Sequence, residues 1–599
     1  MSNSLFRRKN ISSILAEGGD DAHGGEGKLK RVLTVKDLTF FGIAAILGAG
    51  SFSSLGFAVF HGGPGVVILF VITAIACGFT ALCYSEFASR IPVAGSAYTY
   101  AYASFGEVLA WIIGWALIME YSIGNIYVAF SWSDYFTSFL DKLGQSTHIN
   151  LHIPGYFSTS YMEAKHAVES GSANPDELAA WNNAPLIGGL RMILDIPALI
   201  INLLITYLVY RGVKESRNFS NVMVMLKLGV VLLIILVGGY LVFSNGLTGN
   251  WLPPNDGGVK SFMPNGFGGV MLAVSSVFFA YIGFDAVSVL AEESKNPQRD
   301  LPRGMMLSLV ICTVIYILLT LVLTGAVNYR SFDGVGDPLS FIFEPQNLNV
   351  GWMQFVVSIV AVIAMTSVLL VFQMGQPRMW MSMSRDGLMP PAFQKIHPKY
   401  KTPSFATIIT GLVVGVPILF TDKTFVLDFT SIATLFAFVL VCGGVLLIPR
   451  KEKIGGRFHL PYINGQLIFP AIVIGSMILA YSLSKTYFSD MFNFDFSANQ
   501  DYINKKVTYM DAAIPNISLI IFWLSAIVLA ILAFIKKWSL IPLMGVITCM
   551  YLLTGMSKSN WAWFIGWLIL GIIFYFLYGY RKSKLAGQGK VPLAIDHRP

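Results

Sequence analysis

Ile46-Leu47-Gly48-Ala49-Gly50-Ser51-Phe52 lies in the middle of an apolar segment that runs from Leu38 to Phe60. A second interruption, Phe279-Ala280-Tyr281-Ile282-Gly283-Phe284-Asp285, falls in the apolar segment from about Phe267 to Leu290, five segments further on. Inside a bilayer every backbone amide and carbonyl needs a protein partner, so an opened helix survives only against a cavity or other protein. Paired interruptions in the two halves of a polytopic chain are the sequence mark of a transporter's binding site.

The rest of the chain supplies the membrane context. Its 599 residues are 55% hydrophobic and only 12% charged, with a mean hydropathy of +0.64; a soluble protein carries about a quarter charged residues. Fourteen apolar runs recur, roughly 38–60, 66–89, 106–139, 191–210, 219–244, 267–290, 303–327, 351–374, 404–420, 426–448, 465–485, 513–535, 539–555 and 561–580. Runs of this kind can span a hydrocarbon core of about 30 Å. The third is too long for a simple crossing and predicts tilt or a helical extension. The expected fold class is an all-α polytopic membrane protein with about 14 transmembrane helices.

The net charge of +8 belongs to topology and not to nucleic acid. With the N-terminus in the cytoplasm, loops and tails on that side hold 30 Lys and Arg, those outside hold 10, and Lys227 alone lies deep in a span. That bias orients the chain with both termini cytoplasmic, and the plasma membrane is the expected location. Residues 1–31 read as a flexible cytoplasmic tail with Arg7-Arg8-Lys9 near anionic headgroups; residues 581–599 form the other tail. All five cysteines fall in predicted spans, which suggests no disulfide framework. No metal spacing is visible, and no cofactor is expected.

Spans one to five (32–244) and six to ten (267–448) make two groups of five. Five is odd, so the second group enters from the opposite side, and the two are related by inverted topology. Each opens with its interrupted span. The last four spans (465–580) read as a peripheral appendix. The external loop from about 140 to 190 contains a helix-like polar stretch, Tyr161 to Trp181; surface decoration and a lid are both open to it.

The two breaks differ in polarity. Past Gly48, Ala49, Gly50 and Ser51, a new half-helix begins with unpaired amides and the positive end of its dipole, which suits a carboxylate. The break from Phe279 to Gly283 leaves carbonyls at a half-helix C-terminus, which suits an ammonium group. Close packing through small residues is the competing explanation for the glycines.

Three stretches carry a resemblance. Cys83-Tyr84-Ser85-Glu86-Phe87-Ala88-Ser89-Arg90-Ile91-Pro92-Val93-Ala94-Gly95-Ser96-Ala97-Tyr98, Phe278 to Ala286 with Glu292-Glu293-Ser294-Lys295-Asn296-Pro297, and Ser384-Arg385-Asp386-Gly387-Leu388-Met389-Pro390 with His397 to Pro403 resemble signatures of cationic-amino-acid-transporter-like permeases of the amino acid–polyamine–organocation superfamily. The resemblance spans roughly residues 30 to 450. It implies the LeuT-type 5+5 inverted-repeat fold and an amino acid substrate. By it, Ala49 and Gly50 receive the carboxylate, and the carbonyls of Phe279, Ala280 and Ile282 the amino group. The family usually has a large aliphatic residue after the second glycine of the first break; this chain has Ser51, followed by Phe52-Ser53-Ser54.

A charge in mid-membrane usually marks an ion or proton pathway. Lys227 is therefore the expected proton-coupling group, as the span-five lysine is in similar proton-coupled members; a static cation tethering span one to span five is the alternative. Glu120, midway along span three, is expected near the substrate side chain, or in a structural hydrogen bond. Asp285 caps backbone amides after the second break or serves a gate. Glu86 and Arg90, one helical turn apart, form an ion pair with a possible inner-gate role. Met365 and Thr366 are expected to border the pocket. The expectation is a secondary active transporter of amino acids working by alternating access, by proton-coupled symport. Exchange, carriage of a polyamine or other organic amine, and a binding-only receptor on the same fold are the alternatives. Neither a Walker A sequence nor a hydrolytic motif is present, so an enzyme is not expected.

Overall fold

The computed structural model describes residues 7–9, 33–48, 50–91, 96–170, 175–212, 217–255, 257–290, 294–447, 458–495 and 508–587. Helix α1 (Val35–Ile46) starts at Thr34, whose backbone N–H (2.9 Å) and hydroxyl (2.7 Å) both donate to Asp37, the reciprocal half of a capping box. It stops at Leu47 and Gly48. A π-helical turn, Gly50–Ser54, then leads into α2 (Leu55–Gly62) and, through Gly63–Gly65, into α3 (Val66–Arg90). After α4 (Ser96–Ser104) come α5 (Glu107–Thr147), α6 (Ile196–Arg211) and α7 (Arg217–Ser244).

The second interrupted segment consists of α8 (Gly266–Leu272), α9 (Val274–Phe279), a turn over 280–284 and a 3-10 stretch, Asp285–Leu290. Helices α10 (Pro297–Ala326), α11 (Gly351–Arg385), α12 (Ser404–Ile418) and α13 (Lys423–Leu447) follow. The chain continues with α14 (Gly465–Leu483), α15 (Tyr509–Lys536), α16 (Leu540–Leu553) and α17 (Lys558–Phe574).

Among the described residues nine helical runs are long and apolar enough to cross a membrane, with α2 and α3 counted as one; α6, α12 and α16 are shorter apolar helices. Large apolar side chains such as Leu203, Leu236, Tyr240, Ile478 and Leu483 point outward, which lipid tolerates and water does not. The fold is that of an all-helical polytopic membrane protein. A two-residue hairpin, β1 (Leu186–Ile187) with β2 (Leu190–Arg191), decorates the long loop, where Tyr161–Ser170 and Pro175–Asn183 are helical. The expected extension of the third span is present: α5 has 41 residues, about 60 Å at helical rise, and so outreaches the bilayer.

Polar side chains join helices where apolar surface cannot distinguish one neighbour from another. Gln373 of α11 donates to Asn202 of α6 (2.5 Å), Thr206 donates to Gln373 (2.9 Å), and Asn202 donates to the Gly411 carbonyl of α12 (3.1 Å). Helix α17 is fastened to α5 by stacked indoles. Trp115 lies 4.7 Å from Trp567, Trp111 donates to the Gly571 carbonyl (2.8 Å), and Trp115 and Trp567 each donate to the other's carbonyl (2.9 and 3.0 Å). A Cβ at Gly571 would sit 2.4 Å from the Trp115 ring. Gly571→Leu is therefore expected to cost about 1–3 kcal/mol and to lower the unfolding midpoint in detergent; an unchanged midpoint would show that this seam carries no weight.

Candidate functional site

The two breaks are built into each other. A Cβ on Gly50 would lie 2.5 Å from the Ala280 Cα, and one on Gly283 would lie 2.9 Å from the Ala45 carbonyl carbon. Gly283 also has φ +117, a conformation L side chains rarely adopt. Each break thus meets the other's backbone at a glycine. The close packing expected as the alternative to a functional break is real at both glycines.

Local hydrogen bonds hold the opened backbone. The Gly48 carbonyl accepts the amides of Ser51 and Phe52 (both 3.1 Å) and the Ser51 hydroxyl (3.0 Å). Ser54 Oγ lies 2.6 Å from the Gly50 carbonyl and 3.1 Å from that of Ser276, bridging the two broken segments. Tyr135 donates to the Phe52 carbonyl (2.5 Å). Ser51 and Ser54 of the hydroxyl run therefore serve the backbone of the break, while Ser53 donates to the Gly336 carbonyl (3.2 Å).

Across the second break, the Phe279 carbonyl accepts the Ile282 amide (3.1 Å). The Tyr316 hydroxyl of α10 stands 2.7 Å from the Ala280 carbonyl and 2.9 Å from that of Ile46. One phenolic proton serves one carbonyl at a time, so Tyr316 can alternate between the breaks. Sequence reasoning missed this residue, because a lone tyrosine in an apolar span carries no charge or spacing signal.

Gly48, Gly50, Phe279 and Ile282 converge on one small cavity, with Val128 of α5 and Val368 and Phe372 of α11 as its side walls. Its volume is about 10 Å³, room for about one water. Ala280 stands directly behind Gly50, and Ala49 lies outside the described residues. Met365 is fully buried, and Thr366 accepts the Trp132 indole N–H (2.9 Å). The α11 wall is thus formed by Val368 and Phe372, one and two turns beyond Met365 and Thr366.

The cavity is closed on both sides. Towards the face that carries the long 148–195 loop, Tyr127 packs edge-on against Phe279 at 4.6 Å and donates to Ser53 (3.3 Å). Above it the Lys423 ammonium, 5.9 Å from the Tyr127 ring centre, pairs with Asp134. Towards the opposite face, Tyr84 stands edge-on to Phe284 (6.1 Å), Phe438 (5.7 Å) and Tyr100 (6.2 Å), and Phe87 stacks on Tyr100 (4.8 Å).

The charged residues take distinct places. Lys227 is 1% exposed, with its ammonium 3.4 Å from the Ala44 carbonyl in the last turn of α1, the negative end of that half-helix. Glu120 is buried towards α13, with Asp285 and Thr434 as neighbours, and its Oε2 has no hydrogen-bond partner. Asp285 is within reach of the amides of Gly283 and Ala286 at the 3-10 stretch it opens. Glu86 receives Arg90 (Nε, 2.6 Å) and the Leu460 amide (2.7 Å). The pair fastens the segment entering α14 to the end of α3.

An opened helix facing its counterpart around a cavity is a permease feature, and sequence comparison agrees. The family described as amino acid permease matches residues 33–510. The chain belongs to that family. The branched-chain amino acid permease BcaP of Bacillus subtilis is 40% identical over 79% of this chain and 91% of its own length. The methylthioribose transporter of the same organism is 38% identical over 80% and 93%. A vacuolar cationic amino acid transporter 2 of Arabidopsis thaliana is 30% identical over 99% and 95%. This permease is accordingly an integral membrane protein of the cationic-amino-acid-transporter-like kind within the amino acid–polyamine–organocation superfamily.

Two substitutions probe the junction of the breaks. Gly50→Val drives a side chain into Ala280 and is expected to abolish substrate uptake while the protein still reaches the membrane; normal uptake would sink the assignment. Tyr316→Phe removes one hydrogen bond at a buried carbonyl, worth about 1–3 kcal/mol, and should slow uptake about tenfold or more. Wild-type rates in initial-uptake assays would show that the hydroxyl is idle.

Proposed function

We propose that this permease is a secondary active transporter that moves neutral, apolar amino acids across the plasma membrane by alternating access, coupled to protons, with both termini in the cytoplasm. The observation that carries the reading is the interlocked pair of breaks around an apolar cavity. In this reading a carboxylate takes over from the Gly48 carbonyl as acceptor of the Ser51 and Phe52 amides at the start of the second half-helix, and the second break offers carbonyls to an ammonium group. Between them Val128, Val368 and Phe372 present hydrocarbon to the side chain. BcaP, by its printed name a branched-chain amino acid permease, supports the same cargo.

A cationic amino acid or a polyamine is the second reading. It rests on Glu120, whose Oε2 lacks a partner and would welcome a cation reaching past the cavity. Against it, Glu120 does not line the cavity, whose walls are apolar.

The two-fold repeat draws support from the packing. Helices α5 and α11, α3 and α10, and α6 and α12 pack in pairs; these are the third and eighth, second and seventh, and fourth and ninth apolar segments. Each pairs with the segment five places on, as elements flanking a pseudo-two-fold axis would. In this reading residues 32–244 and 267–448 are the repeats, and the last four of fourteen spans are peripheral: α14 packs with α15, α16 with α3 and α13, and α17 with α5.

The cavity holds far less than an amino acid, so the conformation is the closed one between two openings. Opening outward requires Tyr127 and Phe279 to part; opening inward requires the Tyr84 and Tyr100 layer to part. Lys227, seated on the carbonyl end of α1, is placed to sense its protonation through that half-helix: an ammonium holds it, a neutral amine releases it.

Thermal unfolding of the purified protein with each amino acid and common polyamines tests the cargo. Leucine, isoleucine and valine should stabilise the folded protein by about 2.7 kcal/mol at a hundredfold excess over Kd and so raise the midpoint, while arginine and putrescine should not; the reverse order would establish the cationic reading. Lys227→Ala should abolish the pH dependence of uptake in proteoliposomes. A variant that keeps the wild-type pH profile would refute the coupling role.

A further inference from the structure

Three N-terminal residues, far in sequence from the first span, are seated in a groove on the cytoplasmic face. The groove is walled by α4, the start of α5, the end of α11 and the turn beyond α17. Its two carboxylates are converging points. Asp386, just past α11, receives the Tyr98 hydroxyl of α4 (2.6 Å) and the Lys9 ammonium (2.8 Å), and its carbonyl accepts the Lys584 amide (3.1 Å). Glu107 receives the hydroxyls of Tyr575 (2.9 Å), Ser583 (2.6 Å) and Tyr102 (3.2 Å).

The N-terminal residues bind as a peptide binds. Their backbone makes two hydrogen bonds to the groove, from the Glu107 amide to the Arg7 carbonyl (2.9 Å) and from the Lys9 amide to the Tyr102 carbonyl (3.4 Å). Their cations meet aromatic faces, Arg7 at 5.3 Å from the Tyr580 ring centre and Lys9 at 6.0 Å from that of Tyr102, on top of the ion pair to Asp386. Main-chain bonds provide grip, while the charges select a basic segment. The side chains of Lys9 and Asp386 are 11% and 14% exposed, so the pair is screened less than a surface one.

This groove lies on the closure of the site. The other face of α4 carries Tyr100, the ring that stacks on Phe87 and meets Tyr84 beneath the second break. We propose that Arg7-Arg8-Lys9 is a releasable strap: a basic peptide held by Asp386, Tyr102 of α4 and Tyr580 beyond α17, which keeps α4 in place and the cytoplasmic side of the site shut. The strap deepens the transport reading, because its release would speed inward opening. An anionic membrane surface offers the same cations a competing partner, which gives the strap somewhere to go.

The test reads exposure and not transport, so failure of the strap is distinguishable from failure of the transport reading. All five native cysteines are buried, and Ala101 of α4 is 3% exposed. Ala101→Cys in the full chain, in inside-out vesicles, is labelled with an impermeant maleimide. Labelling should be slow in the parent and about threefold faster or more with Lys9→Glu. The double exchange Lys9→Glu with Asp386→Lys should slow it again. A deletion of residues 2–9 should label fast and be slowed by a synthetic peptide of residues 2–10, and that rescue should fail with Asp386→Asn. Unchanged labelling in both Lys9→Glu and the deletion, or fast labelling that neither the exchange nor the peptide reverses, would overturn the strap. If Lys9→Glu does not fold, the deletion and peptide arm decides alone.

Discussion

Everything at the centre of this permease follows from one requirement: backbone polar groups released by breaking a helix inside lipid must find partners within the protein. The structure meets it by laying one broken segment against the other. Gly50 touches Ala280, Gly283 touches Ala45, and the hydroxyls of Ser54 and Tyr316 reach carbonyls of both. Because the two segments stabilise each other where they meet, with Gly50 and Ala45 also bordering the cavity, neither half can shift without disturbing the other.

That coupling shapes the small cavity between the breaks. The walls of the cavity come from α5 and α11, which pack against each other, while its floor and roof come from the breaks. Two aromatic closures, Tyr127 on Phe279 and Tyr84 on Phe284, lie on opposite sides of the second break. They bracket the same turn, so movement of that turn changes both.

Much of this architecture was legible in the residues. Apolar runs near twenty residues located the helices, and the glycine clusters located the breaks, because both reflect strong local constraints. The length of the third segment announced the extension of α5. The side walls were less legible. Val368 and Phe372 line the cavity, one and two turns beyond Met365 and Thr366, since apolar residues around an all-buried helix carry no mark of which face looks inward. Tyr316 was invisible for the same reason. The serines after the first glycine pair stood out as a departure, but their work is to accept the geometry of the break: Ser51 donates to the Gly48 carbonyl. Glu86 and Arg90 showed their pairing through spacing alone, whereas their hold on the chain entering α14 depends on Leu460, distant in sequence.

The long helix α5 has a further consequence. It carries Glu107 at one end, where Arg7 and Ser583 meet it, and Asp134 near the other, where Lys423 caps Tyr127. The two carboxylates sit about 40 Å apart on a single rod, and the cavity wall at Val128 lies between them. Such a rod is a common yardstick: each closure is positioned against the same beam, pinned laterally by its tryptophans to α17. A tilt of that beam would tighten one end as it loosened the other, which is a geometric way of forbidding both doors from standing open together.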